Sequence, residues 1–186
     1  MTRAGPERSD LALLVIDVQQ GAFDGVRCPA IAGAAELVAN VTAALAAARA
    51  AGAAVVFVQH SEPGGVFDAA TPQFELHEAL DPAPNDVRIT KRQSSSFAGT
   101  RLADALARLG AREVLLCGLQ SEHCVYHTAL GALERGLRTT LVSDAHATWP
   151  TATECAAAIS ARINGELQRR GAKLCATREL DLHTSV

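Results

Sequence analysis

Glycines at the ends of amphipathic segments are the feature of this sequence that most constrains its fold. Four of them close a segment with apolar residues at helical spacing and stand just before a short apolar run: Gly52, Gly110, Gly136 and Gly171. Glycine in this position is the usual sign of a helix C-terminus. The runs that follow lack polar alternation, which indicates strands buried on both faces of a parallel sheet. This pattern predicts about six strands, at residues 11–16, 55–58, 87–89, 114–117, 141–142 and 172–175.

Strands that alternate with helices of this length predict a single-domain, Rossmann-like α/β fold. We expect a three-layer α/β/α sandwich around a mostly parallel sheet. One domain should span residues 1–186, since no linker divides the chain, and residues 1–10 are expected to form a flexible leader. Residues 61–86 carry four of the seven prolines and predict an irregular excursion, which either walls a pocket or only covers the sheet.

Composition and charge limit the kinds of molecule that the protein is expected to bind. The formal net charge of -3 and the pI near 6.1 provide no basic face for nucleic acid and no reason to expect a membrane surface. The polar first ten residues do not resemble a signal peptide, and no apolar stretch is long enough to span a bilayer. An odd count of five cysteines favours reduced thiols, so we expect a cytoplasmic protein that acts on a small molecule.

Three chemically complementary side chains follow predicted strands. Asp17 ends the first strand, Lys91 ends the third and Cys124 follows the fourth. Because the carboxyl ends of parallel strands meet at one edge of the sheet, these groups should lie together. Ser121 predicts a helix N-cap, which would place Cys124 at the third helical position, where the helix dipole and a nearby ammonium favour the thiolate. Taken singly, each residue also suits a structural role: a turn carboxylate, a solvated lysine, a buried thiol.

The chain resembles the isochorismatase-like cysteine hydrolases, a family that includes nicotinamidases and N-carbamoyl amidohydrolases. The resemblance covers nearly the whole chain and rests on four separate groups of residues: 13–19; Lys91 with Ser96, Phe97 and Thr100; 118–125 with Thr128 and Ala129; and 143–148.

The resemblance implies a catalytic role for each member of the trio. It makes Asp17 the general base, Lys91 the positioning cation and Cys124 the nucleophile. It also implies a cis peptide at Leu119–Gln120, with the backbone N–H groups of Gln120 and Cys124 as an oxyanion hole. The expected function is hydrolysis of a C–N bond, in an amide or carbamoyl-type group of a small molecule, through an acyl-thioester on Cys124 and without a cofactor.

Departures from the family and other features of the sequence leave alternatives open. Nicotinamidases have an Asp-x-His metal site after the second strand, whereas this chain keeps only His60, so we expect no catalytic metal and assign His60 to the pocket wall. A second interpretation is hydrolysis of a vinyl ether, the reaction of the family members that act on isochorismate. His123 and His127 have metal-ligand spacing, although two surface histidines are the simpler interpretation. A non-enzymatic scaffold with Cys124 as a redox-sensing thiol is a further alternative.

Aromatic residues near the predicted site are candidates for the substrate pocket. Phe23, Phe97 and Trp149 should stand beside His60 and give an apolar wall, although aromatic side chains more often belong to the core. The substrate itself does not follow from the sequence. The family commonly forms homo-oligomers, so a dimer or tetramer is expected.

Overall fold

A six-stranded sheet forms the centre of the molecule in the computed structural model, which describes residues 9–180. Its strands are β1 (Leu11–Ile16), β2 (Ala54–His60), β3 (Val87–Lys91), β4 (Glu113–Leu119), β5 (Arg138–Ala147) and β6 (Lys173–Cys175). Neighbouring strands are parallel, in the order β3-β2-β1-β4-β5-β6. The predicted α/β fold with about six strands is therefore confirmed.

Helices cover both faces of the sheet and complete three layers. They are α1 (Ala34–Ala50), α2 (Leu102–Leu109), α3 (Tyr126–Glu134) and α4 (Ala156–Arg169). On one face, α1 packs with Leu76 and Leu80 of the 61–86 excursion against the sheet. The other three helices share the opposite core. This arrangement explains why every residue of β1 is buried: an apolar strand without alternation is covered from both sides.

The order of the strands reverses between β1 and β4, which places a crevice at the carboxyl ends of these two neighbours. The chain builds the sheet outward from β1 through β2 to β3, then returns to β4 and continues to β5 and β6 on the other side. Ligand sites of open α/β sheets lie at such a reversal. Gly118 allows the close approach, because a Cβ atom there would come within 2.0 Å of the Ile16 carbonyl oxygen.

Two elements differ from the sequence-based expectation. Residues 143–146, expected just beyond the fifth strand, lie inside β5, where the pairing with β4 shifts register between Leu116 and Gly118. The 61–86 excursion is irregular as predicted, with one short 3-10 helix at Pro72–Phe74 and an isolated bridge from Leu76 to Gln19. Most of the predicted leader, residues 1–8, lies outside the described residues. Within residues 9–180, no helix has the length and apolar character needed to cross a bilayer.

Candidate functional site

Lys91 joins the three predicted catalytic residues into one buried group. Its Nζ lies 2.7 Å from Asp17 Oδ2 and 3.0 Å from Cys124 Sγ. The Lys91 side chain is completely buried and that of Asp17 is 4% exposed, so their ion pair is shielded from water. A buried lysine needs such partners, because an unpaired ammonium in the interior costs several kcal/mol. The structure thus brings together all three residues that were expected at the sheet edge.

The positions of Asp17 and Lys91 follow from the ends of their strands. Asp17 is the first residue after β1, and its φ of 53° is a left-handed conformation that aspartate tolerates. Its N–H still donates to the Val58 carbonyl of β2 at 2.9 Å. Lys91 is the last residue of β3, and the loop after it is tied to α3, where the Ser96 N–H donates to Thr128 Oγ1 at 3.0 Å.

Cys124 lies on a one-turn π-helix, Ser121–Val125, that joins β4 directly to α3. The peptide between Leu119 and Gln120 is cis, as the family resemblance implied. The predicted N-cap is wrong: Gln120 takes the cap position without a side-chain bond, and the Ser121 hydroxyl is buried against other partners. The α-helix itself begins at Tyr126, so Cys124 belongs to the π-turn that precedes it.

A buried hydrogen-bond chain holds the start of the π-turn. Ser121 Oγ lies 2.8 Å from His146 Nδ1 and 2.9 Å from Ser160 Oγ, and His146 Nε2 lies 2.9 Å from Asn164 Oδ1. The Asn164 amide donates to the Ser143 carbonyl, so its oxygen faces the histidine. His146 Nε2–H therefore donates to Asn164 and its Nδ1 accepts from Ser121. This chain connects the turn that carries Cys124 to β5 and α4.

Burial governs the resting state of the Cys124 thiol. Desolvation, followed by the negative charge of Asp17, raises the pKa of Cys124 to about 12, while the charge of Lys91 and its hydrogen bond act in the opposite direction. Lys91 lowers the pKa of this thiol, as expected from the sequence, but burial and the Asp17 charge outweigh it, so the expected net preference for the thiolate is not found. A thiol with this pKa keeps its proton at neutral pH.

Asp17 has an oxygen free for that proton. Among the described residues, Oδ1 of Asp17 is buried and has no hydrogen-bond partner, whereas Oδ2 binds Lys91. A carboxylate oxygen, the Cys124 sulfur and a ring nitrogen of His60 all lie within 4.8 Å of one another. A buried acceptor without a donor is costly, so this oxygen is poised to receive a proton or a substrate N–H.

His60 completes the polar group and raises the question of a metal. Its Nδ1 lies 3.1 Å from Lys91 Nζ, and burial and Lys91 lower the pKa of His60. Asp17, His60 and Cys124 have the spacing of three metal ligands. However, the Lys91 ammonium contacts all three and already supplies the positive charge of this cluster. His123 and His127, the other histidines considered as ligands, are exposed. The absence of a catalytic metal stays a prediction.

A cavity of about 610 Å³ opens above the three catalytic candidates. His60 and Trp149 line it, as expected, and the Trp149 indole N–H donates to the Pro29 carbonyl at 2.6 Å. Phe23 and Phe97 do not line it, which corrects the predicted pocket. Phe23 packs edge-to-face on His77, with the ring centroids 4.5 Å apart. Phe97 is buried against α3 beneath the guanidinium of Arg135, which lies 4.4 Å from its ring centroid.

Several residues of the wall were not selected from the sequence. They come from five separate segments: Cys28 and Pro29; Glu62, Val66 and Phe67; Ser94; His123; and Pro150. The excursion thus both walls the pocket and covers the core. Gln19 does not line the cavity, and its structural role was not predicted from the sequence. It is fully buried and binds three backbone groups: the His60 N–H, the His60 carbonyl and the Phe74 carbonyl. Its place two residues after Asp17 was the available signal.

Fold and site together define a three-layer α/β protein with a buried Asp–Lys–Cys group at the carboxyl edge of its sheet. The sequence profile of the Isochorismatase domain matches residues 11–179, and the chain belongs to this family.

Similar sequences and solved structures agree with this assignment. The chain is 42% identical to streptothricin hydrolase of Streptomyces noursei over 139 residues, which cover 74% of this chain and 54% of that protein. An isochorismatase of Pseudomonas putida KT2440 superimposes with a TM-score of 0.80 at 30% identity, over 94% of this chain and 92% of its own. N-carbamoylsarcosine amidase of Thermoplasma acidophilum does so with a TM-score of 0.79 at 26% identity, over 92% and 98%.

Proposed function

We propose that this isochorismatase-family hydrolase cleaves a C–N bond, in an amide or carbamoyl-type group of a small molecule, through an acyl-thioester on Cys124. One observation carries the proposal: Lys91 binds Asp17 Oδ2 and Cys124 Sγ at once, while Asp17 Oδ1 is buried and has no partner among the described residues. A base, a cation and a nucleophile are thus in contact at the floor of a cavity. The relatives named as a streptothricin hydrolase and an N-carbamoylsarcosine amidase support the same chemistry.

The first step moves a proton without changing the net charge of the site. When Cys124 gives its proton to Asp17, negative charge passes from one partner of Lys91 to the other, and the ammonium stays paired throughout. This lowers the barrier to forming a thiolate whose pKa is raised to about 12 in the resting state. The thiolate then attacks the carbonyl carbon of the substrate.

The later steps reuse the same groups. In this proposal the N–H groups of Gln120 and Cys124 bind the oxyanion, each donor contributing about 3 kcal/mol to the transition state. Protonated Asp17 gives its proton to the leaving amine, which leaves an acyl-thioester on Cys124. Asp17 then takes a proton from water as the water attacks the thioester. The C–S bond breaks, the acid departs, and Asp17 returns the proton to the Cys124 thiolate.

The other readings differ in what they require of Cys124. Hydrolysis of a vinyl ether, as in isochorismatase itself, can proceed without the cysteine. A redox-sensing scaffold needs an accessible thiolate at neutral pH, and the raised pKa of Cys124 speaks against that role. The single-domain organisation over residues 1–186, the cytoplasmic location and a dimeric or tetrameric state stay predictions; light scattering on the purified protein measures the last of these.

The proposal is tested by turnover of a panel of small primary amides and carbamoyl compounds, with ammonia release as the signal. We expect Cys124→Ala and Asp17→Asn to fold normally and to lose at least roughly a thousandfold in kcat/KM. The wild type should show the acyl adduct on Cys124 by intact mass. Cys175→Ala is the matched control, because Cys175 lies in β6 and does not line the cavity; it should stay active. Full activity in Cys124→Ala would end the covalent mechanism.

A further inference from the structure

Negative charge predominates on the wall of the cavity. Asp17 and Glu62 line it, and neither arginine nor lysine is among its lining residues in the described chain. The Asp17 charge is balanced by Lys91 beneath it, whereas Glu62 takes part in no ion pair within residues 9–180. We propose that Glu62 forms a subsite for a positively charged group, so that the substrate is an amide carrying an ammonium or similar cation. This inference rests on the proposed amidase function.

The local structure fixes the backbone of Glu62, an exposed residue, at the wall of the cavity. The Glu62 N–H donates to the Phe67 carbonyl at 3.1 Å, and the Gly65 N–H donates to the Glu62 carbonyl at 2.9 Å, which closes a tight turn. The side chain lies against Gly65: a Cβ atom there would be 2.3 Å from Glu62 Cδ and Oε2. Glycine at position 65 is therefore required for this placement of the carboxylate.

The surroundings of Glu62 suit a cation. Phe67 and Trp149 line the same cavity, and aromatic rings attract cations over their faces. Arg27 is the cation of the neighbouring loop; it is exposed, donates to the Gly65 carbonyl at 2.5 Å and does not line the cavity. One carboxylate near a partly solvated ligand changes its binding roughly three- to tenfold, and it disfavours an anion by a similar factor.

Charged thiol reagents test the subsite without any turnover. In a Cys28→Ala background, Cys124 is treated with the trimethylammonium-ethyl and the sulfonatoethyl methanethiosulfonates, and its labelling is followed by peptide mass mapping. Each rate is divided by that of the same reagent with 2-mercaptoethanol, and the cation-to-anion ratio is compared between variants. We expect a ratio above one in the parent, a three- to tenfold decrease in Glu62→Gln and a reversal in Glu62→Lys.

Two further variants separate the local charge from other effects. Glu134→Gln removes the same charge from an exposed site outside the cavity and should leave the ratio unchanged. Gly65→Ala keeps the net charge but displaces the carboxylate, and should lower the ratio. Equal ratios in the parent and in Glu62→Gln would overturn the subsite.

Three matched amides distinguish failure of the subsite from failure of the proposed function. They are 4-aminobutanamide, butanamide and succinamate, which carry a cation, no charge and an anion. The subsite predicts the highest kcat/KM for the cationic amide and loss of that preference in Glu62→Gln. Turnover of all three at equal kcat/KM keeps the amidase and overturns the subsite. A charge-dependent labelling ratio without any turnover keeps the subsite as a cation site and overturns the amidase.

Discussion

Lys91 determines the chemistry at the scale of single residues, because it contacts both the base and the nucleophile. Asp17 raises the pKa of Cys124 and Lys91 lowers it, so the two charges act in opposite directions on one thiol. Burial outweighs the favourable effect of Lys91 and leaves the pKa at about 12. The reactivity of the cysteine toward a simple alkylating agent and its reactivity in catalysis should therefore respond differently to mutation.

Asp17→Asn should increase alkylation of Cys124 while it abolishes turnover. The substitution removes the negative charge that raises the thiol pKa, so the thiolate fraction at pH 7.5 should increase at least roughly tenfold. Lys91→Met should have the opposite effect and slow alkylation. Iodoacetamide rates by peptide mass mapping measure both, with N-acetylcysteine as the reference thiol and circular dichroism as the check on folding. Slower alkylation in Asp17→Asn would show that Asp17 activates the resting thiol.

At the scale of secondary-structure elements, the contact between β1 and β4 sets the distance between base and nucleophile. Asp17 follows β1 directly, and the π-turn with Cys124 follows β4 after the cis peptide. Gly118 stands opposite Ile16 in the register of the two strands, with a φ of 118°. Its missing side chain is what lets the backbones approach at the end of the strands.

Gly118→Ala should be far more destabilising than Gly110→Ala, although both glycines have positive φ. Gly110 ends α2 and has open space around it, so alanine there should cost about 1 kcal/mol for its backbone conformation alone. At Gly118 the new Cβ would meet the Ile16 carbonyl, and the strands would have to separate, at a cost of at least about 3 kcal/mol. Urea unfolding of the two variants provides the free energies. Equal losses would mean that the strands separate at little cost.

At the scale of the whole molecule, one buried and two half-buried histidines link folding to pH. Burial is the largest cause that lowers the pKa of His60, His77 and His146. The unfolded chain therefore binds more protons than the folded one once the pH falls below the ordinary histidine value of about 6.5. The stability from these groups is fully present above that pH and is lost as the pH falls below it.

The free energy of unfolding should decrease between pH 7 and pH 5.5, with the largest share from His146, the most deeply buried of the three. His146→Gln should reduce this slope, because the buried imidazole that resists protonation is gone, even though the variant loses stability at pH 7. His127→Gln, at an exposed position, is the control and should keep the wild-type slope. Urea melts at several pH values measure all three proteins. An unchanged slope in His146→Gln would assign the effect to other groups.

The sequence by itself determined the set of strands and the three residues at the sheet edge. Both follow from local patterns: glycines after helical segments, apolar runs without alternation, and polar residues where those runs end. Only the tertiary structure decided the rest. Glu62 and Cys28 share one cavity because distant segments fold over the sheet, while Phe23 and Phe97 pack elsewhere. The direction in which the pKa of Cys124 shifts depends on burial and on the opposing charges of Asp17 and Lys91. Distances between strands set both of these, and position in the chain does not.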